Sequence, residues 1–451
     1  MQTEKELAFR TRKISSLVWD YALPGIVGTL VTALYNVIGR IFIGQVEGAI
    51  AISGLAITFP VMTLTSSLGM LVGSGAAARI SISLGKRDHH TAELILGNSL
   101  LLTVILNAVF ITLFYIFLEP ILMAFGASSL TYPYARDYLE IVLLGNVFVS
   151  LCYNFNAMMR SSGYPTKAMV TMLIGAVLNI ILSPLFLFVF KLGIRGVAWA
   201  TVLSMFIGML FVMHHFTLRS SVIRLRWRNI RLNRVIILSI LSIGLSPFSM
   251  QVAGSAVALL MNTSLLRHGG DLAVGAYGII NSILMLILMV VLGLNQGTQP
   301  IIGYNYGAGN YRRVRETLFY SLKMATLFTT VGFLIGQFFP HFLASAFTTD
   351  EELLRISSTG IRIALLALPL VGFQIVSSNF FQSIGFAAKS IIQSLSRQLI
   401  FLVPGIILLP RIWGLTGLWI AIPVSDTLAA MLSLFLLVVQ LRHLRRMEEQ
   451  Q

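Results

Sequence analysis

Seventeen residues of the chain are Asp or Glu, and two of them, Asp20 and Asp426, fall clearly inside long apolar runs. A carboxyl group held away from water responds sharply to a proton, a cation or a charged ligand, because burial penalises its ionised form. Asp20 lies near the start of its run, where it can face water. Asp426, in AIPVSDTLAAM, lies well inside its run with no basic neighbour in sequence. Two readings stay open for it: a polar contact between helices, or a titrating group facing a cavity. Other chemistry is sparse. The single cysteine, Cys152, excludes a disulfide framework. The seven histidines form no HExxH or Cys/His cluster. GSGAAA, beginning at Gly73, imitates a dinucleotide fingerprint but lies inside an apolar run, where small residues suit close helix packing.

The elements that must position these groups are membrane spans. The chain of 451 residues is 56% hydrophobic and 11% charged, with a mean hydropathy of +0.85. Soluble domains average about 25% charged residues, so a water-soluble enzyme is excluded. The net charge of +15 is spread over short loops, which fits membrane topology rather than nucleic-acid binding. A bilayer core of about 30 Å needs about 20 apolar residues per helix. Twelve such runs occur: 17–43, 49–78, 94–118, 137–160, 167–190 and 194–217, then 235–266, 272–303, 317–345, 355–385, 391–410 and 414–440. Their length argues for helices rather than barrel strands. The first run is too long for a signal-peptide core, so no cleaved signal is expected. The tails and even-to-odd loops hold 21 Lys and Arg residues and the opposite loops 6, which places both termini in the cytoplasm. Arg40, near the outer end of the first run, reads as an anchor that snorkels to the interface.

An ordered series of matches relates the two halves. Gly75 and Gly85 precede Gly297 and Gly307 by 222 residues, and Gly163 and Lys167 precede Gly385 and Lys389 by the same interval. Gly193 and Gly196 precede Gly414 and Gly417 by 221 residues, and Pro24 precedes Pro247 by 223. Six spans per copy make the repeats parallel, related by an axis along the membrane normal. The expected architecture is an all-α polytopic membrane protein with twelve transmembrane helices in two six-helix lobes, related by a parallel pseudo-two-fold repeat. Its divisions are a cytoplasmic tail (1–16), a first lobe (17–217), a basic linker (218–234), a second lobe (235–440) and a cytoplasmic tail (441–451). The linker mixes six arginines with Val222, Ile223, Leu225, Trp227, Ile230 and Leu232, as an amphipathic segment on an anionic leaflet would.

The stretches YNVIGRIFIG, GLAITFP, GSGAAARISISLGK, RSSGYPTKAM, LNIILSPLF, INSILMLILMVVLGLNQGTQPIIGYNYGAGNYRRV and PVSD together resemble the MATE transporters over nearly the whole chain. The resemblance is to the DinF/MepA-like branch of bacterial multidrug exporters. It implies a secondary active transporter and no enzyme or cofactor. Multidrug or organic-cation efflux would proceed by alternating access, in antiport against H⁺ or Na⁺. It further implies small, cationic amphipathic substrates, a monomer, and a bacterial inner membrane.

The resemblance also implies a cation site in the first lobe, built from an Asp on helix 1, a Tyr on helix 4, an Asn and an Asp on helix 5, and a Thr on helix 6. The matching positions are Gly39, Tyr138, Asn179, Ser183 and Thr201, so both carboxylates are missing. Tyr35 and Asn36, from YNVIGR, are assigned to the same cavity. Asn179, Ser183 and Thr201 would hold Na⁺ weakly, because the missing charges remove several kcal/mol of attraction even at an effective dielectric of about 20. Either coupling is impaired or it has moved, with Asp426 the leading candidate. In the second lobe, Gln251, Asn262, Asn281, Asn295, Met285 and Met289 are cavity candidates, with helix packing the alternative for each polar one. No acid lies in runs 235–266 or 355–385 to build a second-lobe Na⁺ site of the kind other branches use. A lipid-linked oligosaccharide flippase and a non-transporting membrane protein remain as alternatives. The first would need several basic residues lining the cavity, and here most belong to loops.

Overall fold

A bilayer offers no partners for backbone N–H and C=O groups, so each span must satisfy its own as a helix. The structure, a computed structural model, describes residues 4–125 and 127–450, and among them the side chains of 6–34, 54–55, 57–125 and 127–450. Its principal helices are α1 (Ile14–Gly85), α2 (His89–Ile116), α3 (Tyr132–Ser161), α4 (Pro165–Pro184) and α5 (Gly193–Thr217). They continue as α6 (Arg234–Gly307), α7 (Tyr311–Phe338), α8 (Glu351–Ala364), α9 (Leu368–Ser383), α10 (Ala387–Leu395), α11 (Val403–Leu408) and α12 (Pro410–Glu449). At 1.5 Å per residue, α1 and α6 are each far longer than one bilayer crossing, and each holds two spans. α1 contains the candidate crossings Ile14–Leu34 and Ile57–Gly85. α6 breaks at Gly270, whose φ of 65° interrupts the helical path. α8 and α9 meet at a 55° bend and together make one crossing. α10 and α11 flank a π-helical stretch, Ser396–Leu402, within one crossing. Twelve crossings result among the described residues, six before residue 218 and six after 233.

The repeat is written in the turns. Gly163 and Gly385 hold φ of 93° and 82°, and Gly193 and Gly414 hold 59° and 55°, a left-handed conformation that glycine adopts without strain. Asp88 and Asn310, 222 residues apart, each cap a helix by accepting a hydrogen bond from the backbone N–H three residues on. Just before them, Arg87 (φ 63°) occupies the left-handed position that Gly309 (φ 75°) fills in the second copy.

The chain divides into two compact units. One runs through Leu7 and then Val27–Phe248; the other comprises Ala8–Ile26 and the chain from Ser249 onward. The first turns of α1 thus belong to the second unit, and the first turns of α6 to the first. Within each unit a glycine permits this. A Cβ at Gly75 would lie 2.0 Å from the Ile240 carbonyl oxygen, and one at Gly297 would lie 2.4 Å from the Ala22 nitrogen.

In the first unit, α2 and α3 are joined by side-chain hydrogen bonds. Asn146 Nδ2 donates to Asn107 Oδ1 at 2.7 Å, and Asn154 Nδ2 donates to Thr103 Oγ1 at 2.7 Å. Such bonds hold helices together where lipid removes the hydrophobic drive between them. Residues 218–233 are irregular apart from the single turn Trp227–Asn229. They are held to the first unit by Arg226 Nε on Glu93 Oε2 (3.0 Å) and by the Asn233 N–H on Asn98 Oδ1 (2.6 Å), while Trp227 stands 91% exposed. In the second unit the core gathers Met261, Leu265, Ile280, Ile361, Leu365, Leu418 and Trp419.

Candidate functional site

The first-unit constellation is built by α3, α4 and α5. Pro184 ends α4, and because it supplies no N–H the helix relaxes into a π turn over Leu185–Val189. Ser183 and Asn179 lie one helical turn apart just before this break, and both are buried. Asn179 Nδ2 donates to Thr201 Oγ1 on α5 at 3.1 Å. Ser183 Oγ donates to Asn179 Oδ1 at 3.3 Å, and Thr201 Oγ1 donates to the Val197 carbonyl at 3.1 Å. Tyr138, buried on α3, packs with Ala198 and Val202 of α5, which flank Thr201 in position. Asn179, Ser183 and Thr201 are therefore brought together, and Tyr138 packs on α5. Tyr35, Asn36, Gly39 and Arg40 lie outside the residues whose side chains are described. The described members of the constellation are neutral, and Asn179 is bonded to both Ser183 and Thr201.

Charge sits instead in the second unit. Asp426, 3% exposed on α12, receives a hydrogen bond from Arg397 Nε at 2.6 Å. Arg397 projects from the π-helical stretch between α10 and α11. Pro404 explains the wide turn: a proline ring collides with the carbonyl four residues earlier, here Ile400 within that stretch. Tyr277, partly buried on α6, lies within electrostatic reach of the Arg397 guanidinium. The two side chains of the ion pair are 4% and 19% exposed. Such a pair is costly to desolvate and is a weak device for stability alone. Inside a membrane span its default reading is functional.

The other candidates are dispersed. Asn295 is buried on α6, donates to the Ile375 carbonyl at 3.4 Å and leaves its Oδ1 unbonded. Asn281, Met285 and Met289 follow one another at four-residue intervals on α6; the first two are exposed and Met289 is half-buried. Asn262 is exposed and Gln251 half-buried. Asp20 is paired with Arg12 at 2.7 Å on the surface. Among the described residues, no group of three His, Cys, Asp or Glu side chains could hold a metal ion.

Arg397 was the residue missed by sequence reasoning. It lies inside the run 391–410, and a basic residue there demands a counter-charge. The charge balance of the loops passes over it.

The MatE family model matches residues 24–185 and 247–407, two copies at the interval of the internal repeat. The chain belongs to the MatE family. It is 27% identical over 443 residues to the multidrug export protein MepA of Staphylococcus aureus, covering 97% of each chain. A crystal structure of a MATE protein in complex with MaL6 superposes with a TM-score of 0.92 at 25% identity, covering 99% of this chain and 100% of that one. The outward-facing conformation of a multidrug-resistance MATE transporter of the MOP superfamily gives a TM-score of 0.92 at 25% identity, with coverage of 99% and 100%. This MATE chain is accordingly a multi-pass membrane transporter for small molecules, of the multidrug-efflux family, and not an enzyme.

Proposed function

We propose that this MATE protein exports amphipathic organic cations by alternating access, and that protons acting at the Arg397–Asp426 pair drive it. The observation that carries the reading is the pair itself. It is a buried carboxylate deep in a membrane-crossing helix, with a guanidinium at 2.6 Å. The described residues of the first-unit constellation, by contrast, carry no charge. A proton suits this arrangement better than Na⁺. The guanidinium already fills the place beside the carboxylate that a sodium ion would take, and Na⁺ would need further oxygen ligands as well. A proton neutralises Asp426 directly and releases Arg397 to a second position. Loss of the proton lets the pair re-form.

The charge bias of the loops supports cytoplasmic termini in a bacterial inner membrane, with Trp227 and its neighbouring arginines anchoring the linker at the interface. A monomer suffices for this cycle. An oligosaccharide flippase is disfavoured, because Arg160, buried at the end of α3, is engaged by Asn156 and Arg397 by Asp426. Expression in a pump-deficient host tests the transport reading. Lower accumulation of cationic dyes and raised drug tolerance are expected; unchanged accumulation of every dye would contradict it.

A further inference from the structure

α10 and the π-helical stretch after it are tied to α12 of the second unit at two points, and both elements carry buried polar residues between those points. On α12 the buried side presents Asp426, Ser433 and Gln440 at seven-residue intervals, so all three lie on one side of the helix. On α10 and the π-helical stretch that continues it, Lys389, Gln393 and Arg397 recur every four residues. Both ends of this seam are tied: Lys389 Nζ donates to Gln440 Oε1 at 2.6 Å, and Arg397 Nε donates to Asp426 Oδ1 at 2.6 Å. Its middle is not. Gln393, 1% exposed, has neither amide atom bonded; Ser433, fully buried, has an unbonded Oγ; Gln440 has an unbonded Nε2. Leu or Ala at these positions would pack without that desolvation cost. Buried polar groups left unpaired by protein are the groups that internal water bridges.

We propose that this seam is the hydrated path by which Asp426 delivers its proton to the cytoplasm, with Gln393 and Ser433 ordering the water chain and Lys389–Gln440 closing its mouth. The inference rests on the reading of Asp426 as the coupling group. The path spans the fourteen residues from Asp426 to Gln440, about 20 Å along α12. In the releasing step the O–H bond of the Asp426 carboxyl breaks and the adjacent water takes the proton. Each water passes a proton onward as it receives one, so no charge is left in the seam. The carboxylate that remains re-forms its ion pair with Arg397. At the mouth, the Lys389 ammonium lies 5.5 Å and 5.1 Å from the ring centroids of Phe381 and Phe386. Its positive charge opposes entry of a proton from that side until it swings aside.

The charged environment of Asp426 is simple. Arg397 is bonded to it, and Tyr277 of α6 lies within electrostatic reach of Arg397. α9 and α11, which also pack on α12, contain no ionisable residue. α10 brings Lys389, engaged by Gln440. The ionisable residues of α7 lie within 311–323 and those of α8 within 351–362, and of these Arg315 pairs with Glu448 near the far end of α12.

The test uses full-length protein in proteoliposomes, ethidium as the transported probe, and an imposed pH gradient. Gln393→Leu/Ser433→Ala is expected to bind ethidium as the wild type does but to turn over about tenfold more slowly, the effect of about 1.4 kcal/mol on the rate-limiting step. Its rate should fall further in D₂O, and Gln393→Asn/Ser433→Thr should recover most of the loss. Should the apolar double variant lose ethidium binding, Ser433→Ala alone is read in the same way. Wild-type turnover by the apolar variants, with Asp426→Asn inactive, overturns the path and leaves Asp426 as the coupling group. Full pH-driven transport by Asp426→Asn overturns both.

Discussion

Removing either partner of the Arg397–Asp426 pair should do far more damage than removing both. Two unit charges 2.6 Å apart attract by about 6 kcal/mol at an effective dielectric of about 20, and desolvation of both groups offsets most of that. Truncating one partner strands the other charge inside the helix bundle, at a cost of about 3–5 kcal/mol. Arg397→Met and Asp426→Leu are each expected to lose about that much stability. The double variant replaces both with apolar groups of similar volume and should return to within about 1 kcal/mol of wild type, since buried pairs often exchange neutrally for apolar residues. The assay is a double-mutant cycle on unfolding of detergent-solubilised protein, with ethidium transport measured on the same four preparations. Coupling of about 5–10 kcal/mol, close to the two single losses combined, together with a folded but proton-uncoupled double variant, is the expected result. Two additive single effects, each under about 1 kcal/mol, would refute the reasoning, because they would mean that the charges do not depend on each other.

Three further outcomes follow from the same structure. Asn179→Leu breaks the 3.1 Å bond to Thr201 and leaves Ser183 without its acceptor, so thermal unfolding should show a loss of about 1–3 kcal/mol; an unchanged midpoint would contradict the network. Introducing Gly39→Asp and Ser183→Asp together into an Asp426→Asn background should restore ion-driven efflux, since it returns both carboxylates to the first-lobe constellation; no gain with either Na⁺ or H⁺ gradients would sink the idea of a relocated site. Asp88→Ala removes the cap whose carboxyl accepts the Thr91 N–H at 2.9 Å and should cost about 1 kcal/mol near neutral pH. The side chain of Thr91 first, and its backbone N–H second, hold the Asp88 carboxyl below the usual aspartate range. That stabilisation is present above the ordinary value of about 3.9 and lost as the pH falls through the folded value, so the difference between variant and wild type should close in acid.

The helical architecture was legible because it follows from run length and from turn residues. The glycines at 163 and 385, or at 193 and 414, announce the same left-handed turn in each copy, and the structure places them there. The assignment of the first turns of α1 to the second unit, and of α6 to the first, was not legible. Apolar runs in a symmetric pair of lobes look the same whichever bundle they join, and the deciding contacts at Gly75 and Gly297 are close approaches between segments remote in sequence. In the candidate site, the four-residue spacing of Asn179 and Ser183 was legible as one side of a helix, whereas the bond from Asn179 to Thr201 on the next helix was not. Asp426 was legible as an acid inside a span, but its partner lies 29 residues earlier on another helix. Gln393 and Ser433 give no sequence signal beyond polarity within an apolar run, and only their burial without partners sets them apart.

The most direct measurement is ethidium uptake into proteoliposomes driven by a pH gradient alone, with no Na⁺ gradient, for wild type and Asp426→Asn side by side. The account predicts rapid uptake by the wild type, abolished when the gradient is dissipated, and no gradient-dependent uptake by Asp426→Asn. Uptake driven by Na⁺ but not by pH, or a pH-driven rate in Asp426→Asn equal to that of the wild type, would contradict it.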